Sequence, residues 1–135
     1  MDSIATATAW QHEPIDNPKR IDIALYFTDR QFSKLTKGII PQQMEDKWFI
    51  FYENEWLYFH RSWSGFGIYK AHLIKEQDGY LVKEFWAERN QERYKNEDDN
   101  TDIKNFSHLI ALGLLGIDID KLYANKDSIR GQFGA

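Results

Sequence analysis

The densest run of aromatic residues in this chain extends from Trp48 to Tyr69 and constrains the fold more than any other feature. Ten of these 22 residues are Trp, Tyr or Phe, whereas the fraction over all 135 residues is 16%. A single layer of hydrophobic core does not need so many large rings. We therefore expect some of them to face a second surface, which is either a ligand or another protein.

Turn signals divide this region and the residues after it into a meander of four antiparallel strands. The predicted strands cover about 47–53, 56–62, 66–75 and 80–87. The predicted breaks between them are Asn54-Glu55, Ser64-Gly65 and Asp78-Gly79. Asp-Gly is a strong signal for a two-residue hairpin, and Asn-Glu is a weaker one.

A short helix is predicted after an earlier strand at 21–27. Thr28 and Gln31 have the spacing of a capping box, in which the hydroxyl and the amide cap each other's backbone N–H groups. The helix is expected to run from 29 to 37 and to end at Gly38.

A longer helix is predicted at 102–115, with Thr101 as its N-cap and Gly116 at its end. Its apolar residues follow helical spacing and form a broad stripe of Ile103, Phe106, Ile110 and Leu114, widened by Leu109, Leu112 and Leu115. So broad a stripe indicates a helix that lies across a sheet. The predicted fold is α+β: an antiparallel meander of four to five strands, with the long C-terminal helix packed on one face and a short helix after the first strand.

The length of the chain is that of one domain. We expect a flexible lead-in at 1–18, which contains Pro14 and Pro18, then a single α+β domain at 19–126 and a mobile tail at 127–135.

Composition excludes several classes of protein. The net charge of -4 argues against general nucleic-acid binding, and the lack of cysteine rules out disulfides and thiolate chemistry. No apolar run approaches the roughly 20 residues that span a bilayer, and the N-terminus lacks the features of a signal peptide. The acidic run at 97–102 lacks the loop glycine and terminal glutamate of an EF-hand. We therefore expect a soluble cytoplasmic protein that has neither a metal site nor a cofactor.

Strand parity sorts the aromatic residues onto two faces, because residues paired directly across strands share a face. The face predicted to pack under the long helix holds Trp48, Ile50, Tyr52, Leu57, Phe59, Phe66, Ile68, Ile74, Leu81 and Phe85. The second face mixes rings with polar groups and holds Phe49, Phe51, Glu53, Trp56, Tyr58, His60, Gly67, Tyr69, Ala71, Glu84 and Trp86. A single bulge would exchange the faces beyond it.

The second face and the adjoining loop at 61–65 form the candidate ligand site. Its predicted residues are Trp56, Tyr58, His60, Arg61, Ser62, Trp63, Ser64, Tyr69, Glu84 and Trp86. The rings offer planes that stack on a nucleobase or a sugar, and Arg61 offers a planar fork for a phosphate or carboxylate. The alternative is that this face packs against another helix or a second subunit.

Two segments of the chain resemble a small uncharacterised domain found in bacteria and phages. The first is Lys47-Trp48-Phe49-Ile50-Phe51-Tyr52-Glu53 with Trp56-Leu57-Tyr58-Phe59-His60-Arg61-Ser62-Trp63-Ser64-Gly65. The second is Asn96-Glu97-Asp98-Asp99 followed by Asp102-Ile103. The resemblance covers about residues 20–115 and implies a link to ADP-ribose chemistry, without an established activity.

Three functions are compatible with these features. The favoured one is a non-enzymatic binding protein that sequesters a small, nucleotide-type (ADP-ribose-like) ligand on the aromatic face. The second is a protein-interaction module, such as an immunity or inhibitor protein. The third is a hydrolase of a nucleotide-like substrate that uses His60 with Glu84 or Glu53 as acid and base. We also expect a homo-oligomer, because the meander and one long helix leave a sheet face uncovered.

Overall fold

The computed structural model of the chain describes residues 4–43 and 45–123. The predicted tail at 127–135 lies outside the described residues, as do residues 1–3 of the predicted lead-in and residues 124–126 of the predicted domain.

The architecture is α+β, as predicted, with one six-stranded antiparallel sheet. Its strands are β1 (Pro18–Phe27), β2 (Trp48–Glu53), β3 (Trp56–Arg61), β4 (Gly67–His72), β5 (Ile74–Glu76) and β6 (Gly79–Glu88). The described helices include α1 (Asp29–Leu35) and α2 (Asp99–His108), and α2 continues as a π-helical segment, Leu109–Leu115. Residues 119–123 are also helical. The sheet order is β1-β6-β4-β3-β2, and β5 pairs with β6 beyond the end of β4. The four predicted central strands therefore follow sequence order.

Two of the predicted hairpin turns can be compared directly with the structure. Asn54 and Glu55 form the predicted hairpin turn, and both have positive φ angles, of 51° and 74°, which suits the twist of a two-residue hairpin. The last turn is displaced by one residue from the predicted Asp78-Gly79, because Glu76 pairs with Gly79. A side chain on Gly79 would lie 2.2 Å from the carbonyl oxygen of Phe27, so this glycine is needed inside the sheet.

The predicted strand at 66–75 is divided into β4 and β5. Leu73 stands between them, and its backbone N–H donates to the carbonyl of Glu55 at 2.9 Å. Leu73 is 2% exposed. The break therefore directs its main chain toward the β2–β3 turn while its side chain joins the core.

Both helices are capped by side chains. The capping box of Thr28 and Gln31 is present, although α1 ends at Leu35 rather than at residue 37. The predicted N-cap at Thr101 is wrong, because Asp98 caps α2 and accepts a hydrogen bond from the Thr101 N–H at 3.2 Å. Carboxylates are good N-caps, since they face the positive end of the helix dipole. Gly116 ends the helical segment as predicted, with a φ of 67°.

The main core lies between the sheet and the helices. Phe106 stacks on Phe85 with ring centroids 4.2 Å apart and an interplanar angle of 1°. Phe106 and Ile110 are 0% and 1% exposed, as the broad stripe predicts, and Leu35 joins them from α1. Burying a phenylalanine stabilises a fold by about 1.5–3 kcal/mol, so this helix is a principal part of the core.

A β-bulge changes the predicted division of the two faces. Phe59 pairs with Tyr69, but His60 pairs with Gly67, which leaves Ile68 as the extra residue. The prediction that Tyr69 and Ala71 lie on the second face is therefore wrong. Both are buried in the core under the helices.

The residues that take their places on the second face are Lys70 and His72. Lys70 pairs with Tyr58 and with Trp86, and His72 pairs with Trp56. A second parity change occurs in β6, where Val82 rather than the predicted Leu81 belongs to the main core.

Candidate functional site

The N-terminal segment, residues 4–17, lies along part of the second sheet face. Ala5 is 1% exposed and packs in a separate buried cluster with Phe49 and Phe51. Its backbone N–H donates to the carbonyl of Lys37 at 2.8 Å. The segment treated as a lead-in in the sequence analysis thus covers rings that were expected to face a ligand or a partner.

Gly67 is the point where this segment joins the sheet. The Gly67 N–H donates to the Glu13 carbonyl at 2.9 Å, and the Glu13 N–H donates to the Gly65 carbonyl at 2.8 Å. A side chain on Gly67 would lie 2.8 Å from the backbone nitrogen of Ile15. A glycine is therefore required for the segment to approach β4 so closely.

Glu88 fixes the end of the segment. Its carboxylate is fully buried and accepts hydrogen bonds from the backbone N–H groups of Asp16 (2.7 Å), Asn17 (2.8 Å), Arg89 (3.0 Å) and Asn90 (2.9 Å). Buried charges persist where hydrogen bonds replace their hydration. The role of Glu88 is therefore to join the N-terminal segment to the loop after β6.

His60 lies beneath the N-terminal segment and is 2% exposed. The His12 ring covers it at a centroid distance of 4.7 Å, and the Phe51 ring stacks on it at 5.5 Å. Burial, with a smaller contribution from His12, lowers the pKa of His60 to about 4. His60 is therefore neutral at pH 7 and enclosed. Within the described residues, no hydrogen bond or ion pair joins it to Glu53 or Glu84.

Ser62 is held by the protein rather than presented to a ligand. It is 7% exposed, and its hydroxyl donates to the Asp46 carbonyl at 2.6 Å. The indole N–H of Trp10 donates to the Ser62 carbonyl at 2.6 Å. These bonds fix the start of the loop at 61–65, which was predicted as part of the site.

Trp63, at the tip of this loop, is 83% exposed. It borders a groove of about 910 Å³, which we call the amide groove. The lining residues are Trp10, Gln11, Pro41, Gln42, Gln43, Ser62, Trp63, Ser64 and Gly65. Three amide side chains and two indole rings thus meet at one opening.

A second groove of about 680 Å³, the charged groove, shares Trp63 and Ser64 with the amide groove. Its charged lining residues are Lys47, Arg61, Arg93, Glu45 and Glu92. Trp63 therefore stands as a ridge between an amide-lined space and a space that carries three cations and two carboxylates.

Arg61 does not lie on the second sheet face. It pairs with Trp48, and its guanidinium carbon stands 4.4 Å from the centroid of the Trp48 ring. Such a cation–π contact holds the planar guanidinium in place and leaves its N–H groups available.

The remaining predicted site residues lie away from these grooves. Trp56, Tyr58 and Trp86 form an outer aromatic strip with Lys70 and His72. The Trp56 and Trp86 centroids are 5.4 Å apart, and the ammonium of Lys70 stands 5.6 Å from the Trp56 ring. Trp56 and Trp86 belong to neither buried cluster. Glu84 lies further along β6, where it pairs with Asp22.

Tyr69 belongs to a buried polar network. Its hydroxyl donates to the Asp102 carboxylate at 2.7 Å, and the Tyr94 hydroxyl donates to the same oxygen at 2.5 Å. Arg89 forms an ion pair with the other Asp102 oxygen at 2.7 Å. Desolvation, and then the hydrogen bonds with Tyr94 and Asp102, raise the pKa of Tyr69. The network connects β4, the loop after β6 and α2, so Tyr69 stabilises the fold and is not presented to a ligand.

The structure thus divides the predicted site among three places: the loop at 61–65, the outer aromatic strip and the interior. Sequence reasoning did not identify the other wall of the amide groove, formed by Trp10, Gln11, Pro41, Gln42 and Gln43. The one available signal was Trp10, a large apolar residue in an otherwise small and polar segment.

The described residues contain no group of three or more His, Cys, Asp or Glu side chains arranged to hold a metal ion. Across 4–43 and 45–123, no helix has the length and hydrophobicity that a membrane crossing requires. The chain matches no protein-family model, and no curated protein or solved structure is significantly similar to it.

Proposed function

We propose that this chain is a non-enzymatic binding protein for a small, ring-bearing anion of the nucleotide type, held around Trp63. The observation that carries the proposal is the exposure of this one indole, 83%, on the ridge between the amide groove and the charged groove. An exposed tryptophan costs solvation free energy unless something covers it.

The two grooves have complementary chemistry. Trp63 and Trp10 offer ring faces at the amide groove, where stacking of a base is worth about 1–3 kcal/mol. Glutamine amides donate and accept hydrogen bonds and so suit the edges of a base. On the other side of the ridge, Arg61 and Lys47 suit a phosphate. The volume of about 910 Å³ lies within the usual range of ligand sites.

Among the described residues near Trp63, none is arranged as a reactive group, and this favours binding over catalysis. The Ser62 hydroxyl donates to a main-chain carbonyl, and the Ser64 hydroxyl accepts from the Phe66 N–H at 3.2 Å. His60 is enclosed and neutral. None of these groups is arranged as a nucleophile with an adjacent base.

The test is a binding titration of the full chain with a panel of nucleotides that includes ADP-ribose. We expect Trp63→Ala and Arg61→Ala each to weaken binding by about 1–3 kcal/mol, which is about 5- to 150-fold. Arg61→Lys should not restore full affinity, because an ammonium cannot reproduce the planar fork. Tyr123→Ala is the matched control, since it removes another exposed ring (45% exposed) outside the grooves.

Melting temperatures of the same variants separate a binding role from a structural one. Trp63→Ala should melt within about 2 °C of wild type, since substitutions at exposed positions change stability by roughly 0.5 kcal/mol or less. A fall of several degrees with unchanged nucleotide affinity would contradict the proposal, as would a failure of every ring-bearing anion to bind.

The outer aromatic strip favours a second candidate function, that of a protein-interaction module. Trp56 and Trp86 are half-buried and lie outside both buried clusters, and aromatic side chains are enriched at protein interfaces. A homodimer formed through the strip would show twice the 16.0 kDa chain mass in light scattering at micromolar concentration. Trp86→Glu should return it to the monomer mass, and a wild-type monomer would exclude the dimer.

A further inference from the structure

A third groove, of about 490 Å³, lies on the helix side of the sheet, and we call it the basic groove. Lys47, Trp48 and Arg61 form one wall, and Lys104, Asn105 and His108 of α2 form the other. Exposed Leu112 continues the second wall along the π-helical segment. Segments of π-helix are rare and are frequent at functional sites.

The charge of this groove has one sign. Its lining contains two lysines, one arginine and one histidine but no carboxylate. Elsewhere Lys19, Lys75 and Arg89 each pair with an aspartate. Among the described residues, no ion pair is formed by Lys47, Arg61 or Lys104. Three unpaired permanent cations thus converge in a chain whose net charge is -4.

The helix dipole does not account for this arrangement. Cations are favoured in the last turn of a helix, where the free carbonyl groups are, but this helical segment ends at Gly116. Lys104 lies three turns before that end, and Lys47 and Arg61 come from the sheet side. A cleft with one sign of charge concentrates potential and attracts counter-ions.

The groove is also preorganised. The Trp48 ring that supports the Arg61 guanidinium is itself stacked on Tyr69, with centroids 6.1 Å apart and an interplanar angle of 14°. On the opposite wall, the Nδ1–H of His108 donates to the Lys104 carbonyl at 2.8 Å, because a carbonyl can only accept. This bond directs Nε2, the other nitrogen of the ring, away from the helix backbone.

We propose that the basic groove binds a diphosphate group. Three permanent cations exceed what one carboxylate would neutralise, and the fork of Arg61 fits two phosphate oxygens. Lys47 and Lys104 neutralise the remaining charge from opposite walls. A volume of about 490 Å³ admits more than a single phosphate. This site shares Lys47 and Arg61 with the charged groove, but it does not require a ring to stack on Trp63.

The test is calorimetric titration of the full chain with inorganic pyrophosphate at low and at physiological salt. We expect binding that weakens as salt rises and a loss of affinity of about 10-fold or more in Lys104→Ala and in Arg61→Ala. Lys34→Ala is the matched control, because it removes an exposed lysine of α1 and should leave affinity within about 2-fold. Melting temperatures of all variants verify that each one is folded.

Trp63→Ala distinguishes this site from the one proposed above, because Trp63 does not line the basic groove. Pyrophosphate affinity should be unchanged in Trp63→Ala, even if no nucleotide binds the protein. If Lys34→Ala and Lys104→Ala weaken pyrophosphate binding equally, the loss follows from the change in net charge alone, and the proposal is overturned. Failure of pyrophosphate to bind at low salt would also overturn it.

The source of the diphosphate is decided by a comparison of ADP with pyrophosphate. ADP that binds at least 10-fold more tightly, with the gain abolished by Trp63→Ala, assigns the groove to the phosphates of a nucleotide. Equal affinities assign it to the free anion. In both cases Lys104→Ala must weaken ADP and pyrophosphate alike, and a Lys104→Ala variant that binds both normally would refute the site.

Discussion

Replacing Gly67 with alanine tests whether the N-terminal segment is fixed to the sheet at β4. A methyl group at this position would lie 2.8 Å from the Ile15 nitrogen and 3.1 Å from the Glu13 oxygen, so the segment has to move away. Two main-chain hydrogen bonds, of 2.8 and 2.9 Å, are then lost, at about 1 kcal/mol each. We expect a loss of about 2 kcal/mol in the free energy of unfolding and a melting temperature lower by roughly 6–12 °C.

Nuclear magnetic resonance of the histidine rings provides the second measurement. In the Gly67→Ala variant the N-terminal segment no longer covers His60, so the pKa of His60 should rise from about 4 toward its ordinary value of 6.5. Gly113→Ala is the matched control, because the nearest atom to its added methyl is the Ile39 Cδ1 at 3.8 Å. It should be neutral or stabilising by up to about 1 kcal/mol. An unchanged melting temperature and His60 titration in Gly67→Ala would refute the attachment.

Two further predictions concern the buried polar groups. Because the pKa of His60 is lowered in the folded state, the unfolded chain takes up a proton at a higher pH than the folded chain does. The stability that neutral His60 allows is therefore complete above pH 6.5 and is lost as the pH falls to about 4. His60→Phe should remove roughly 3 kcal/mol from the change in unfolding free energy over this pH range, as measured by denaturant titration. If the unfolding free energies of the variant and the wild type change in parallel with pH, the assignment to His60 is contradicted. Asp102→Asn should destabilise the fold by about 2–4 kcal/mol, because the Arg89 charge loses its fully buried partner. Its effect should exceed that of Tyr94→Phe, which removes one hydrogen bond worth about 1 kcal/mol, and the opposite order would contradict this account of the network.

The features that sequence predicts well here are those decided by neighbouring residues. The Asn54-Glu55 turn, the Thr28 capping box and the Gly116 helix end depend on the local chemistry of a few residues, and all three are present. The broad apolar stripe around Phe106 and Ile110 likewise predicts a helix across a sheet. These local signals agree with one another, which is why the α+β class and the order of the central strands were predictable.

The site was less predictable because its position depends on interactions between distant parts of the chain. The bulge at His60 depends on Gly67, whose role is explained only by the N-terminal segment that passes beside it. That segment shows no helical or strand periodicity in the sequence. Counting alternate residues along the strands therefore placed Tyr69 on the second face, whereas the bulge directs its side chain into the core. Arg61 was expected in the loop beside that face, and instead it ends β3 with its guanidinium over Trp48.

The backbone of the loop that carries Trp63 is held by hydrogen bonds that do not involve the Trp63 side chain. The carbonyl of Arg61, at the start of the loop, accepts a hydrogen bond from the Gly65 N–H at 2.8 Å. Ser62 forms hydrogen bonds with Trp10 and with Asp46. None of these bonds involves the indole of Trp63. The main chain of the loop is thus hydrogen-bonded before any ligand arrives, so mainly the Trp63 side chain has conformational entropy to lose when a ligand stacks on it. An exposed ring on a hydrogen-bonded loop favours the proposed ligand position at Trp63 over the more enclosed second face of the sheet.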